Sequence, residues 1–106
     1  MPREIRFDFP LPNGLHARPA SHVQELANRF KSKIELTNAR TGRSANAKSV
    51  LAMVSSDVRK GDAVVINING TDEDRAEAEL QRFVREVLPH VDDETTPAPV
   101  TTIPRF

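Results

Sequence analysis

Apolar residues recur in this chain with two different periods, and the order in which the periods change constrains its fold more than any other feature. Across residues 3–9, Ile5, Phe7 and Phe9 alternate with Glu4, Arg6 and Asp8, the period of a strand with one buried face. Pro10, Pro12, Asn13 and Gly14 break the pattern as a turn. Val23, Leu26, Ala27 and Phe30 then recur at helical spacing, opposite Gln24, Glu25, Asn28 and Arg29, which predicts a helix over 17–30. Ile34 and Leu36, a turn over 38–42, and Ala45 with Ala47 read as an antiparallel hairpin.

Ser49 can cap a short helix containing Val50, Leu51, Met53 and Val54, which carries more apolar surface than its length requires; Met53 is assigned to the core. After the Lys60-Gly61-Asp62 turn, residues 63–69 are rich in Val and Ile, so a strand is expected, closed by Gly70. A last helix is expected to be capped by Thr71, with Asp72, Glu73 and Asp74 at its positive end. Its expected buried stripe is Ala76, Leu80, Phe83, Val84 and Val87, and Pro89 should end it. Short strands beside amphipathic helices in this order predict an α+β fold, one sheet with its helices on a single face.

A chain of 106 residues supports one modest core, which we place in residues 1–91. Residues 92–106 hold three prolines and four threonines without periodicity, and are expected to form a flexible tail or interdomain linker. The chain has no cysteine, which excludes disulfides and thiolate metal sites and suits a reducing cytoplasm. No apolar run is long enough for a signal peptide or a membrane span, so a soluble, cytoplasmic protein is expected. Fifteen basic residues balance fifteen acidic ones and Trp and Tyr are absent, which argues against a nucleic-acid partner.

The segment Asn13-Gly14-Leu15-His16-Ala17-Arg18-Pro19-Ala20 places a histidine where the first helix should begin. The first amides of a helix lack intrahelical partners and the helix dipole is positive there, so an anion such as phosphate is favoured. Arg18 adds a cation able to bond two phosphate oxygens, and the backbone at Ala17 and Arg18 supplies the expected further contacts. Pro19 gives up an amide without a helical partner and stiffens the turn. The positive field also disfavours a protonated ring, and a neutral imidazole is a nucleophile. A lone histidine beside a turn is ordinarily a solvated or capping residue; the glycine, arginine and proline at these offsets shift the reading toward function. His16 and His22 stand six residues apart, off the usual ligand spacing, and His90 has no carboxylate pair, so neither a metal site nor a cofactor is expected. His22 and His90 are assigned surface or packing roles.

With these residues in view, the chain resembles the histidine-containing phosphocarrier family, HPr, of the bacterial phosphoenolpyruvate-dependent sugar phosphotransferase system. Two segments carry the resemblance: Gly14-Leu15-His16-Ala17-Arg18-Pro19-Ala20 and Asn46-Ala47-Lys48-Ser49-Val50-Leu51. It implies an open-faced β-sandwich, a four-stranded antiparallel sheet with three helices on one face. It also implies that His16 accepts a phosphoryl group on Nδ1 from phosphorylated Enzyme I and passes it to the A component of an Enzyme II, with Arg18 stabilising the charge. Such a domain is a stoichiometric carrier and not an enzyme in isolation, although a longer chain containing it would be a phosphoenolpyruvate-protein phosphotransferase.

By the same resemblance, Val50, Leu51 and Val54 form an apolar docking patch, and Ser49 matches a position that a dedicated kinase phosphorylates in some branches. A helix cap is the simpler role for Ser49. Three departures stand out: Ala17 where many members carry a hydroxyl, Glu25 and Asn28 where lysines often engage Enzyme I, and the Thr/Pro tail. The last two suggest an HPr-like domain excised from a multidomain phosphotransferase, linked by its tail to an Enzyme I domain. The alternative reading is a regulatory protein-binding adaptor switched at Ser49, which the intact His16 and Arg18 disfavour. A small RNA-binding domain is disfavoured by the charge balance.

Overall fold

The alternation at the N-terminus becomes strand β1, Arg3–Asp8, in a computed structural model that describes residues 2–92. The elements that follow are α1 (Ala17–Ala27), β2 (Lys33–Asn38), β3 (Ser44–Asn46), α2 (Val50–Ser55), β4 (Ala63–Asn69) and α3 (Glu73–Arg82). A π-helical turn, Phe83–Val87, and a 3-10 turn, Leu88–His90, continue from α3. The four strands form one antiparallel sheet in the order β1-β4-β2-β3.

Register explains why one sheet face is core. Ile5 pairs with Ile66, Ile34 with Ile68, and Leu36 with both Ile66 and Ala45, and all of these are buried. Against that face the helices set Ala20, Val23 and Ala27 from α1, Met53 from α2, and Ala76 and Leu80 from α3, each also buried. This is the open-faced α+β sandwich expected, with a four-stranded antiparallel sheet and three helices. Met53 is fully buried, as its core assignment requires.

The departures from expectation are local. Helix α1 ends at Ala27, and Asn28 to Phe30 form a turn whose amides bond back to Gln24, Leu26 and Ala27. Asn38, read as turn, closes β2 instead; it is buried, and its amide donates to the carbonyls of Ser56 and Asp57. Thr71 does not cap α3. Asp72 occupies the cap position, but its carboxylate is turned to the previous loop, where it accepts from the amides of Lys31 and Ser32 and from the Ser32 hydroxyl. Those bonds hold its carboxyl at about 2, the Ser32 hydroxyl first among the causes.

The end of the last helix differs most. In the π turn the Leu88 amide reaches the Phe83 carbonyl, five residues back, which rotates the following residues off the helical stripe. Val87, expected in the stripe, is 38% exposed, whereas Leu88 and Val91 are buried in its place. The chain thereby returns to the core at Val91, immediately before Asp92. Residues 93–106, most of the segment expected as a tail, lie outside the described residues.

Candidate functional site

The loop before α1 is built to present one side chain. Gly14 has φ of +72°, a conformation that side-chain-bearing residues rarely adopt, and a Cβ there would stand 2.6 Å from the Val58 carbonyl oxygen. Its amide donates to Leu11, and the next amide, from Leu15, donates to that same Val58 oxygen at 3.0 Å. Leu11 and Leu15 are buried on one side of His16, and Pro19 and Ala20 on the other. His16 between them keeps 40% of its side chain in solvent.

The loop that receives Leu15 is braced by charge. Arg40 donates from Nε to the Asp62 carboxylate at 2.9 Å and also reaches the carbonyl and carboxylate of Asp57, while the Arg59 amide donates to Asp62. These donors hold both carboxyls below their ordinary values, the Arg59 amide leading at Asp62 and the Arg59 side chain at Asp57. A depression of about 300 Å³ beside His16 is lined by Asn13, Leu15, Val54, Val58 and Arg59, among others.

His16 is the N-cap residue of α1, with extended backbone (φ −89°, ψ −169°). Its Nδ1 accepts from the Arg18 amide at 3.4 Å, and its Nε2 faces the Asp92 carboxylate oxygens at 3.1 and 3.2 Å. An ionised carboxylate can only accept, so this contact favours the tautomer with the proton on Nε2 and the lone pair on Nδ1. The Arg18 amide, a donor, is compatible with this arrangement, but at 3.4 Å it is too long to hold it alone. The two ring nitrogens are thereby distinguished, which the spacing of the sequence did not do. Arg18 is half-buried, and its Nε donates to the Val91 carbonyl at 2.6 Å, so the guanidinium is anchored to the returning C-terminal segment.

Of the other residues singled out, Ala17 is exposed at the first helical position. Ser49 caps α2, its hydroxyl accepting from the Ala52 amide at 3.2 Å. Leu51 is 82% and Val54 41% exposed, and Val54 borders the depression beside His16. Val50 is only partly exposed and packs against the core. His90 is exposed. His22 is half-buried and stacks near Phe83, with ring centroids 6.4 Å apart; burial, then the nearby Arg18 cation, lowers its pKa. Among the described residues no group of three His, Cys, Asp or Glu side chains could hold a metal ion. None of the helices there is long and apolar enough to cross a membrane.

Sequence reasoning missed Asp92, because it assigned that residue to the tail. The carboxylate also means that His16 feels more than the positive field of its helix. No local pattern signals a contact between residues 76 apart in sequence.

A small open-faced α+β sandwich with a histidine at the start of its first helix has the architecture of the phosphocarrier domains. The family model described as the PTS HPr component phosphorylation site matches residues 4–86, and the chain belongs to that family. Multiphosphoryl transfer protein 2 of Escherichia coli K12 is 45% identical over 105 residues, covering 92% of this chain and 13% of that protein. The chain thus spans only a small part of that relative's length. Phosphocarrier protein HPr of Mycoplasma pneumoniae is 40% identical over 65 residues, covering 61% of this chain and 73% of the other. Among solved structures, HPr-C-His from Thermoanaerobacter tengcongensis superposes with a TM-score of 0.73 at 29% identity, covering 81% of this chain and 94% of that one.

Proposed function

We propose that this domain carries a phosphoryl group on Nδ1 of His16, taken from phosphorylated Enzyme I and delivered to the A component of an Enzyme II. The observation that carries the reading is the pair of opposed contacts on one half-exposed ring: a carboxylate at Nε2 and an amide donor at Nδ1. The lone pair attacks phosphorus, an Nδ1–P bond forms, and the bond to the donor breaks. The Arg18 amide, released from Nδ1, and its guanidinium then face the phosphoryl oxygens, as does the Ala17 backbone at the positive end of α1. Leu51 and Val54, apolar and exposed on α2, with Val54 bordering the site, serve as the surface on which both partners dock. Ser49 acts as a helix cap.

The domain is a carrier regenerated in each cycle, working in the cytoplasm where its partners meet. The likeness to a multiphosphoryl transfer protein supports the further reading that residues 92–106 join it to an Enzyme I domain. A tethered partner is present at an effective concentration of about millimolar, so weak docking suffices. Glu25 of α1, paired at 3.6 Å with Arg29 in the turn that follows, fits a face not optimised for a free partner. The reading frame beyond Phe106 tests the tether. Incubation with labelled phosphoenolpyruvate and Enzyme I tests the carrier: label should enter the parent chain and be absent from His16→Ala, whose circular dichroism should match the parent.

A further inference from the structure

We infer that Asp92 is a positioning residue for phosphoryl transfer: it fixes the Nε2–H form of His16 and holds the positive charge that the ring gains when Nδ1 is phosphorylated. The inference rests on the carrier reading above and adds to it a residue outside the residues 4–86 that define the family match.

When a neutral imidazole protonated at Nε2 attacks phosphorus through Nδ1, the Nδ1–P bond forms as the donor's bond to phosphorus breaks. No proton need move. The hydrogen stays on Nε2 and the ring becomes a phosphorylated imidazolium. In delivery the Nδ1–P bond breaks and the ring leaves as the same neutral Nε2–H imidazole. Were Nδ1 protonated at the outset, its lone pair would be unavailable, and the ring would first have to exchange its proton with solvent.

Asp92 meets both needs. Its two oxygens lie 3.1 and 3.2 Å from Nε2, and its side chain is 20% exposed, so water competes weakly for the contact. A partly desolvated carboxylate strengthens a hydrogen bond to a ring that becomes cationic more than one to a neutral ring. The interaction therefore grows in the direction of transfer. The backbone that presents Asp92 is itself held at two points, by the buried Val91 side chain and by the bond from Arg18 Nε to the Val91 carbonyl. The same Arg18 thus supports the phosphate side of the ring and places the carboxylate on the opposite side.

The test uses the whole 106-residue chain. Long-range ¹⁵N NMR of the unphosphorylated protein reads the His16 tautomer directly, and rapid-quench uptake from phosphorylated Enzyme I reads the rate. The parent should show Nε2–H alone. Asp92→Ala should show averaged ring nitrogens and take up phosphate about tenfold to a hundredfold more slowly, the worth of one charge-assisted hydrogen bond. Asp92→Glu should restore the parent spectrum and most of the rate, which a purely structural role would not require. Thermal melts confirm that each variant is folded. A parent-like tautomer or a parent-like rate in Asp92→Ala overturns the assignment while leaving the carrier reading intact. Absence of uptake in the parent itself overturns the carrier reading, and this inference with it.

Discussion

Arg18 Nε donates to the Val91 carbonyl at 2.6 Å, so the cation two residues after His16 is tied to the last buried residue before Asp92. Arg18→Lys keeps the charge and loses the planar fork that makes this bond while facing outward. Phosphate uptake by this variant should fall about tenfold or more, and stability should drop by about 1 kcal/mol, the net worth of one hydrogen bond. Urea denaturation and rapid-quench uptake on the same preparation measure the two effects separately.

Gly14→Ala should lose stability and activity together. A methyl group there meets the Val58 oxygen at 2.6 Å on a backbone with φ of +72°. Strain of this kind costs roughly 1–3 kcal/mol and would be relieved by shifting the loop that carries His16. The expected result is a lower urea midpoint with slower uptake. Wild-type values for both would show that the loop accommodates the methyl group and that the close approach is unimportant.

Two neighbouring residues on α2 should separate docking from folding. Leu51→Ala changes an 82% exposed side chain, so stability should stay within about 0.5 kcal/mol while transfer from Enzyme I slows several-fold. Met53→Ala empties a fully buried site and should cost about 2–5 kcal/mol. Its transfer rate, measured well below the melting temperature, should change less than that of Leu51→Ala.

Acid stability should depend on Asp72. Its carboxyl is held at about 2 against an ordinary 3.8, so the folded state binds the proton more weakly than the unfolded chain. Its contribution is complete above about pH 4 and is lost as pH falls through about 2. Asp72→Asn should therefore flatten the stability profile between those values, seen in urea midpoints from pH 5 to pH 2.

His22 should act in a higher window. Burial and Arg18 lower its pKa from 6.5, against Glu25 and Asp92, which raise it. The unfolded chain takes the proton first, so stability should decline as pH drops from above 6.5 toward the lowered folded value. His22→Phe should weaken this part of the profile, and an NMR titration of the ring should locate its midpoint below 6.5.

The sheet and first two helices were legible because their signals are local. Ile5 and Phe9, Ile34 and Leu36, and Val23 with Leu26 each sit where a simple period places them, and Ser49 caps α2 as its position suggests. The misreadings share a different cause. Thr71 yields the cap position because Asp72 is engaged by a loop forty residues earlier, and Val87 is displaced by a π turn that no hydrophobic period encodes. Gly14, His16 and Arg18 lie within one short segment, so their place at the start of α1 was readable. Asp92 meets His16 only after the whole domain has closed, and in the sequence it opens a stretch of prolines and threonines without periodicity.

Pro19 leaves the entrance of α1 with one backbone hydrogen fewer than an ordinary helix offers. Sites built to retain a nucleotide surround its phosphates with a succession of amides; here only those of Ala17 and Arg18 precede the proline. On the carrier reading, a grip so incomplete favours a guest that stays briefly. For a molecule whose task is to hand its cargo onward, that frugality of donors keeps the parting as easy as the arrival.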